Sequence, residues 1–170
     1  MRVYRNAEKI CKTENGNKKL ILSAVLLHDI VKIKNQKDSA IKSAKLSEKI
    51  LKENNFFDDE IKIISDAIKE HSFSKGKIPS SIEGKILQDA DRLDAIGAIG
   101  LARVFSFSGS NNRPFYDPND PFSRNRSVND NKWALDHFFE KLLTLEKKMN
   151  TKTGKILAKN RTKILKNFLK

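Results

Sequence analysis

The sequence predicts an all-α fold, because apolar residues recur at helical spacing in almost every segment and the β-branched alternation of strands is nearly absent. Capping and helix-stopping residues fall between these periodic segments. A first helix is expected over Arg2 to Lys12, ended by TENGN. A second starts near Lys19 and runs through LILSAVLLHDIVK; it is apolar nearly all round, which assigns it a central place. A third is expected from Asp38, an N-cap residue type, through SAIKSAKLSEKILKEN, and Asn54 and Asn55 stop it. A fourth begins at DDEIKIISDAIKEHS with Asp58 as its cap.

After the loop FSKGKIP, Ser80 and Glu83 form a capping-box pattern at the head of SSIEGKILQDADRLDAIGAIGLARVF. Gly97 and Gly100 each cost about 1 kcal/mol of helix propensity relative to Ala, so another backbone is expected to come close there. Ser106 to Asn131 reads as loop, and a loop of about 25 residues is more often functional or moving than idle. Two more helices, KWALDHFFEKLLTLEKKM and the tail KTGKILAKNRTKILKNFLK, complete the chain. The expected architecture is one domain over residues 1–170, a helical bundle with a long loop before its two C-terminal helices.

The 170 residues are enough to bury a core, even with a hydrophobic fraction of only 38%. The longest apolar runs, such as AVLL and AIGAIGLA, fall far short of the ~20 residues that cross a bilayer, so no membrane span is expected. Met1 leads directly into a charged amphipathic segment, so no secretory leader is expected. A lone cysteine, Cys11, excludes an internal disulfide and points to a reducing cytoplasm. The net charge of +13 favours an anionic partner: nucleic acid, a membrane surface or small phosphorylated molecules. Lysines scattered along the whole chain among isoleucines and asparagines are more simply the mark of an AT-rich genome. No acidic residue follows Glu146, and Ile156, Leu157, Ile164, Leu165, Phe168 and Leu169 recur at helical spacing, so the basic residues there read as the wet face of a packed helix.

The chemistry concentrates in two stretches. LQDADRLDAIGAIG sets Asp89, Asp91 and Asp94 beside residues fit for burial, and a buried carboxylate is costly unless a cationic side chain or a metal faces it. LLHDIVK places His28 and Asp29 about 100° apart on a helix, near enough to reach one ion off that edge. A satisfied core histidine explains that dipeptide as well when it is taken alone. With Asp91, three ligands on two apolar helices converge if they share one divalent cation. A buried salt bridge from Asp91 to Arg92 or Arg103 is the competing explanation, and spacing leaves both open.

LLHDIVK, followed at this distance by DADRLDAIGAIGLAR, resembles the HD-domain metal-dependent phosphohydrolase superfamily, and within it the small stand-alone HD hydrolases acting on nucleotides. RVYRNAEKI, IKEHSFSKGK and HFFEKLLTLEKKMNTKTGKILAKNRTKIL extend the likeness nearly end to end. The resemblance implies a divalent metal, Mn²⁺, Mg²⁺ or another, held by His28, Asp29 and Asp91. It implies catalytic roles for Asp94, one turn beyond Asp91, and for His71 in EHSFS, which would hold a phosphate or assist proton transfer. A histidine that simply ends a helix at the negative end of its dipole is the plainer account of His71. The family pattern also expects a further histidine three residues ahead of Arg2, a position before Met1. Either the true start lies upstream, or the protein is a weakened relative.

Lys75 and Lys77 are candidates to meet substrate phosphates, with solvated loop lysines as the alternative. The loop arginines Arg113, Arg124 and Arg126 suit phosphate oxygens, and Phe115, Tyr116 and Phe122 suit stacking on a base, as in a lid; an irregular surface loop explains them too. His137, on an amphipathic segment, reads as structural. The expected function is metal-dependent hydrolysis of a nucleotide or related phosphate ester. The rival is a catalytically impaired HD-domain protein that binds nucleotides or nucleic acid. Nucleic acid ranks lower as a partner, because neither a helix-turn-helix pattern nor an aromatic-interleaved basic stretch is evident.

Overall fold

The computed structural model describes residues 1–33, 36–72 and 77–170, the side chains of 36–38 excepted. Among the described residues the regular structure is helical: α1 (Arg2–Cys11), α2 (Lys18–Leu27), α3 (Gln36–Glu53), α4 (Asp58–Glu70), α5 (Ile82–Asp94), α6 (Ala98–Ser110), α7 (Asp136–Glu140) and α8 (Lys152–Phe168), with short 3₁₀ turns at Leu142–Thr144 and Glu146–Lys148. None of these helices is long and apolar enough to cross a membrane. The chain divides into two units, one of residues 1–91 with 150–154 and one of residues 92–149 with 155–170.

In the first unit α2 packs against α1, α3 and α4, the central place its apolar circumference predicts. Asn17 caps it, its side chain accepting from the backbone N–H groups of Lys19 and Leu20. Ile10, Ile21, Ile64, Ile68, Ile86 and Leu87 are fully buried in this unit's core. The expected caps of α4 and α5 shift by one residue, and α3 starts three residues earlier than expected. Helix α3 begins at Gln36, before Asp38, whose side chain lies outside the described residues. At α4 the cap position is Phe57, whose N–H donates to Glu60 Oε2 at 3.2 Å, and Asp58 is the first helical residue, where its charge suits the positive end of the dipole. At α5 the cap is Ser81, whose Oγ accepts from Gly84 N at 3.0 Å, because Glu70 engages both the N–H and the hydroxyl of Ser80.

Asp89 shows what the first unit does with a buried charge. Its side chain has no exposure, and its oxygens accept from Asn150 N at 2.9 Å, Asn150 Nδ2 at 2.9 Å, Thr151 N at 2.8 Å and Thr151 Oγ1 at 2.7 Å. Thr151 in turn caps α8, its Oγ1 accepting from Gly154 N at 2.9 Å. The carboxylate therefore faces the N-terminus of a helix, whose unpaired N–H groups and dipole favour an anion.

In the second unit the predicted continuous helix is divided. Gly97, at φ +84°, separates α5 from α6, a conformation that favours glycine. A Cβ on Gly100 would lie 2.2 Å from the carbonyl oxygen of Ala95, so the close backbone expected there is the chain's own. Helix α6 runs on to Ser110, which shortens the expected loop from its start. The expected helix over KWALDHFFEKLLTLEKKM is also reduced, to the five residues of α7 and the two 3₁₀ turns. Ala134 N and Leu135 N donate to the carbonyls of Pro114 and Phe115 at 2.9 and 2.8 Å, and Lys141 leaves helical geometry at φ −128°. The rings of Phe115, Phe138 and Phe168 gather around Phe105 within 4.9 to 6.1 Å between centroids. In α8 the buried positions are Gly154, Ala158, Thr162 and Leu165; of the apolar face expected for the tail Leu165 is buried, whereas Ile156, Ile164 and Phe168 are exposed.

Asp89→Asn keeps the shape but puts an amide group where donors already converge. We expect it to destabilise the protein by on the order of 3 kcal/mol, about a 10 °C fall in Tm. Thermal melts check this, and an unchanged Tm would show that the carboxylate is dispensable.

Candidate metal centre

Two helix ends in the first unit present an imidazole to the same point. His28 is the residue after α2 and His71 the residue after α4, each still in right-handed helical conformation. The HD dipeptide therefore sits in the turn beyond α2 instead of within a helix, as the pattern predicted. Each ring turns back along its own helix: His28 Nδ1 lies 2.7 Å from Val25 O and His71 Nδ1 lies 2.6 Å from Ile68 O. A carbonyl only accepts, so both Nδ1 atoms carry the proton and both Nε2 atoms present a lone pair.

The rings meet edge to face, with centroids 5.1 Å apart and planes at 89°. His28 Nε2 lies 4.0 Å from Asp29 Oδ2 and 4.0 Å from Asp91 Oδ1. Potential ligand atoms of His28, Asp29 and His71 all fall within 4.8 Å of one another. Two nitrogen or oxygen donors on one cation, at bonds of about 2.1 Å, lie at most about 4.2 Å apart, so small side-chain shifts bring this set onto an ion. Both imidazoles are buried, whereas the side chains of Asp29 and Asp91 are 55% and 41% exposed, which leaves the carboxylate side open to solvent and substrate.

A family model described as HD domain matches residues 1–96, more than half of the chain and the part that holds these residues. The chain belongs to the HD domain family. The YpgQ protein of Bacillus subtilis (strain 168) is 34% identical to it over 174 residues, covering 99% of this chain and 78% of that protein. The crystal structure of an HD-superfamily hydrolase from Bacillus thuringiensis superposes with a TM-score of 0.78 at 34% identity, covering 99% of this chain and 79% of the other. The crystal structure of Bacillus subtilis YpgQ in complex with ADP superposes with a TM-score of 0.77 at 33% identity, with coverage of 99% and 79%.

Of the residues singled out from the sequence, the HD fold of the first unit brings together His28, Asp29, Asp91 and His71. Asp94 falls in the second unit, where its Oδ2 accepts from Arg103 Nη1 at 2.7 Å. The salt bridge considered for Asp91 thus forms at Asp94, and Arg92 Nη1 donates to the carbonyl of Lys148. Lys75 lies outside the described residues, and Lys77 is exposed. The loop arginines belong to the second unit. Arg113 donates to Ser108 Oγ and to the carbonyl of Asp130, and Arg126 makes a two-pronged contact with the buried Asp136 at 2.6 and 2.8 Å. Arg124 is exposed beside the Phe122 ring. His137 holds Asp130, with Nδ1 2.8 Å from Oδ2, in keeping with a structural part.

Sequence reasoning missed the residues that hold the centre in place. Ser43 Oγ accepts from Val31 N at 3.1 Å and donates to Val31 O at 3.4 Å, and Ser39 Oγ does the same for Ile33 at 3.0 and 3.3 Å. These serines on α3 fix the segment that follows Asp29. The available signal was serine at every fourth position, Ser39, Ser43 and Ser47, in an otherwise amphipathic helix.

Burial disfavours the imidazolium of His71 and holds its pKa below the ordinary value of 6.5; Asp91 and the Ile68 carbonyl pull the other way without prevailing. With the folded pKa below the unfolded one, the unfolded chain takes up more protons once the pH drops beneath about 6.5. The contribution to stability is fully present above that pH and is lost as the pH falls through the folded value. The Tm of metal-free protein should therefore fall on acidification from about pH 7 to about pH 5, and fall less in His71→Gln. Parallel curves for the two proteins would show that another group titrates.

Proposed function

We propose that this chain is a metal-dependent phosphohydrolase acting on a nucleotide or a related phosphate ester. The observation that carries the reading is the convergence of His28, Asp29 and His71 with Asp91, buried nitrogens on one side and open carboxylates on the other. The HD-superfamily hydrolase among the similar structures supports the reaction class, and the ADP complex of YpgQ supports a nucleotide as ligand.

His28 and His71 offer Nε2 lone pairs because the Val25 and Ile68 carbonyls keep the proton on Nδ1. Asp29 and Asp91 supply the negative charge that selects a divalent cation, such as Mn²⁺ or Mg²⁺, over a monovalent one. When bound, such a cation supplies Lewis acidity toward a phosphoryl oxygen and lowers the pKa of water. His71 stays neutral near pH 7 because burial depresses its pKa, so Nε2 is available as a donor atom. Both rings are buried while the Asp29 and Asp91 carboxylates are open to solvent, so a phosphate approaches from the carboxylate side.

Phosphate release from nucleoside di- and triphosphates, with Mn²⁺ or Mg²⁺ and with EDTA as control, tests the reading. Replacing a ligand should cost at least the ~100-fold at the upper end of outer-sphere losses, so Asp91→Ala should fall to background. Mn²⁺ at roughly a hundredfold its Kd should stabilise the parent by about 2.7 kcal/mol. Asp91→Ala should lose this gain with its helical circular dichroism intact. An equal metal-induced rise in Tm in both proteins would place the metal elsewhere, and nucleotide binding without turnover would mark a binding module.

A further inference from the structure

Gln88 is a fully buried polar side chain between Leu87 and Asp89 on α5. A buried primary amide is tolerated when both its donor and acceptor sides are met, and here they are. Its Nε2 donates to the carbonyls of Glu70 at 3.3 Å, His71 at 3.3 Å and Lys77 at 3.1 Å. Its Oε1 accepts from Asn150 Nδ2 at 2.9 Å.

The direction of every bond in this chain is forced. Asp89 only accepts, so it fixes Asn150 Nδ2 toward itself and toward Gln88 Oε1. That turns Gln88 Nε2 toward the carbonyls that end α4 and toward Lys77, where the chain approaches α5. A glutamate here would set its oxygens against three carbonyl oxygens, and a lysine would leave Asn150 Nδ2 without this acceptor. Only an amide of this length does both.

We propose that Gln88 is a positioning residue for the metal centre: by gathering the carbonyls of Glu70, His71 and Lys77 it fixes the last turn of α4, and with it the direction of His71 Nε2. Helix α5 then contributes twice, through Asp91 directly and through His71 at one remove. The effect on metal affinity rests on the proposed metal-dependent reading; the effect on the His71 ring does not.

Long-range proton–nitrogen NMR spectra of the imidazoles in metal-free protein test the positioning itself, with His28 as internal reference. We expect His71 in the parent as a single tautomer protonated on Nδ1. In Gln88→Met, which keeps length and volume, we expect it as a mixture of tautomers with His28 unchanged. Asn150→Ala, which releases the Gln88 amide to turn, should shift His71 in the same direction by less. An unchanged His71 spectrum in folded Gln88→Met overturns the proposal; if that variant does not fold, the same result in Asn150→Ala does. By calorimetry, Gln88→Met should weaken Mn²⁺ binding at least about tenfold, and should cause no further loss when introduced into His71→Ala. Additive losses would mean that Gln88 acts through another group and would also overturn it. Failure of the parent to bind Mn²⁺ would strike the metal reading, while the spectra still decide the role of Gln88.

Discussion

A carboxylate removed from water needs donors on both oxygens, and Asp89 finds them at Asn150 and Thr151, the two residues that lead into α8. Much of the first unit follows from that requirement. The Asn150 amide that serves Asp89 also orients Gln88, and Gln88 holds the end of α4 where His71 sits. Asn6 of α1 donates to the carbonyl of Ala90, the residue between Asp89 and Asp91, at 3.0 Å. Within one turn, α5 thus anchors α8, α4 and α1 and exposes Asp91 on another side. The three aspartates of LQDADRLD have separate partners: Asp89 is an internal anchor, Asp91 a member of the candidate metal centre, and Asp94, largely buried, pairs with Arg103.

Helix ends matter to this centre for an electrostatic reason as well. A helix C-terminus carries partial negative charge on its unpaired carbonyls. His28 and His71 both follow such an end, so α2 and α4 bring two negative poles to the place where Asp29 and Asp91 add formal charge. Each imidazole quiets one carbonyl of its own last turn and offers the opposite nitrogen outward. A cation there meets neutral nitrogens, anionic oxygens and two helix poles together.

The helical class and the central place of α2 were legible because they depend on periodicity and on residue type, whereas the HD dipeptide and Asp91 stood out through the family resemblance, since spacing alone left a core histidine and an Asp91 salt bridge open. The role of His71 was harder. A histidine ending an amphipathic helix explains itself without a partner, and its nearness to His28 is a tertiary fact. Gln88, Asn150 and Thr151 were illegible for the same reason, since their bonds join positions about sixty residues apart. The division of the segment after Asp94 was half visible: Gly97 and Gly100 marked it, but their backbone geometry did not follow from propensity. The shortened α7 was invisible, because carbonyls of Pro114 and Phe115 compete for N–H groups that the local pattern assigns to a helix.

Among the described residues no strand lies beside the segment after Asp29, yet the Ser43 and Ser39 hydroxyls each accept from the N–H and donate to the carbonyl of the same residue, Val31 and Ile33. A side chain here does the work of a neighbouring backbone. Amide hydrogen exchange at these two irregular positions is consequently governed by the opening of α3, since the segment has no regular structure of its own to break. Slow exchange at Val31 and Ile33 reports on the same cooperative unit as Ser39 and Ser43.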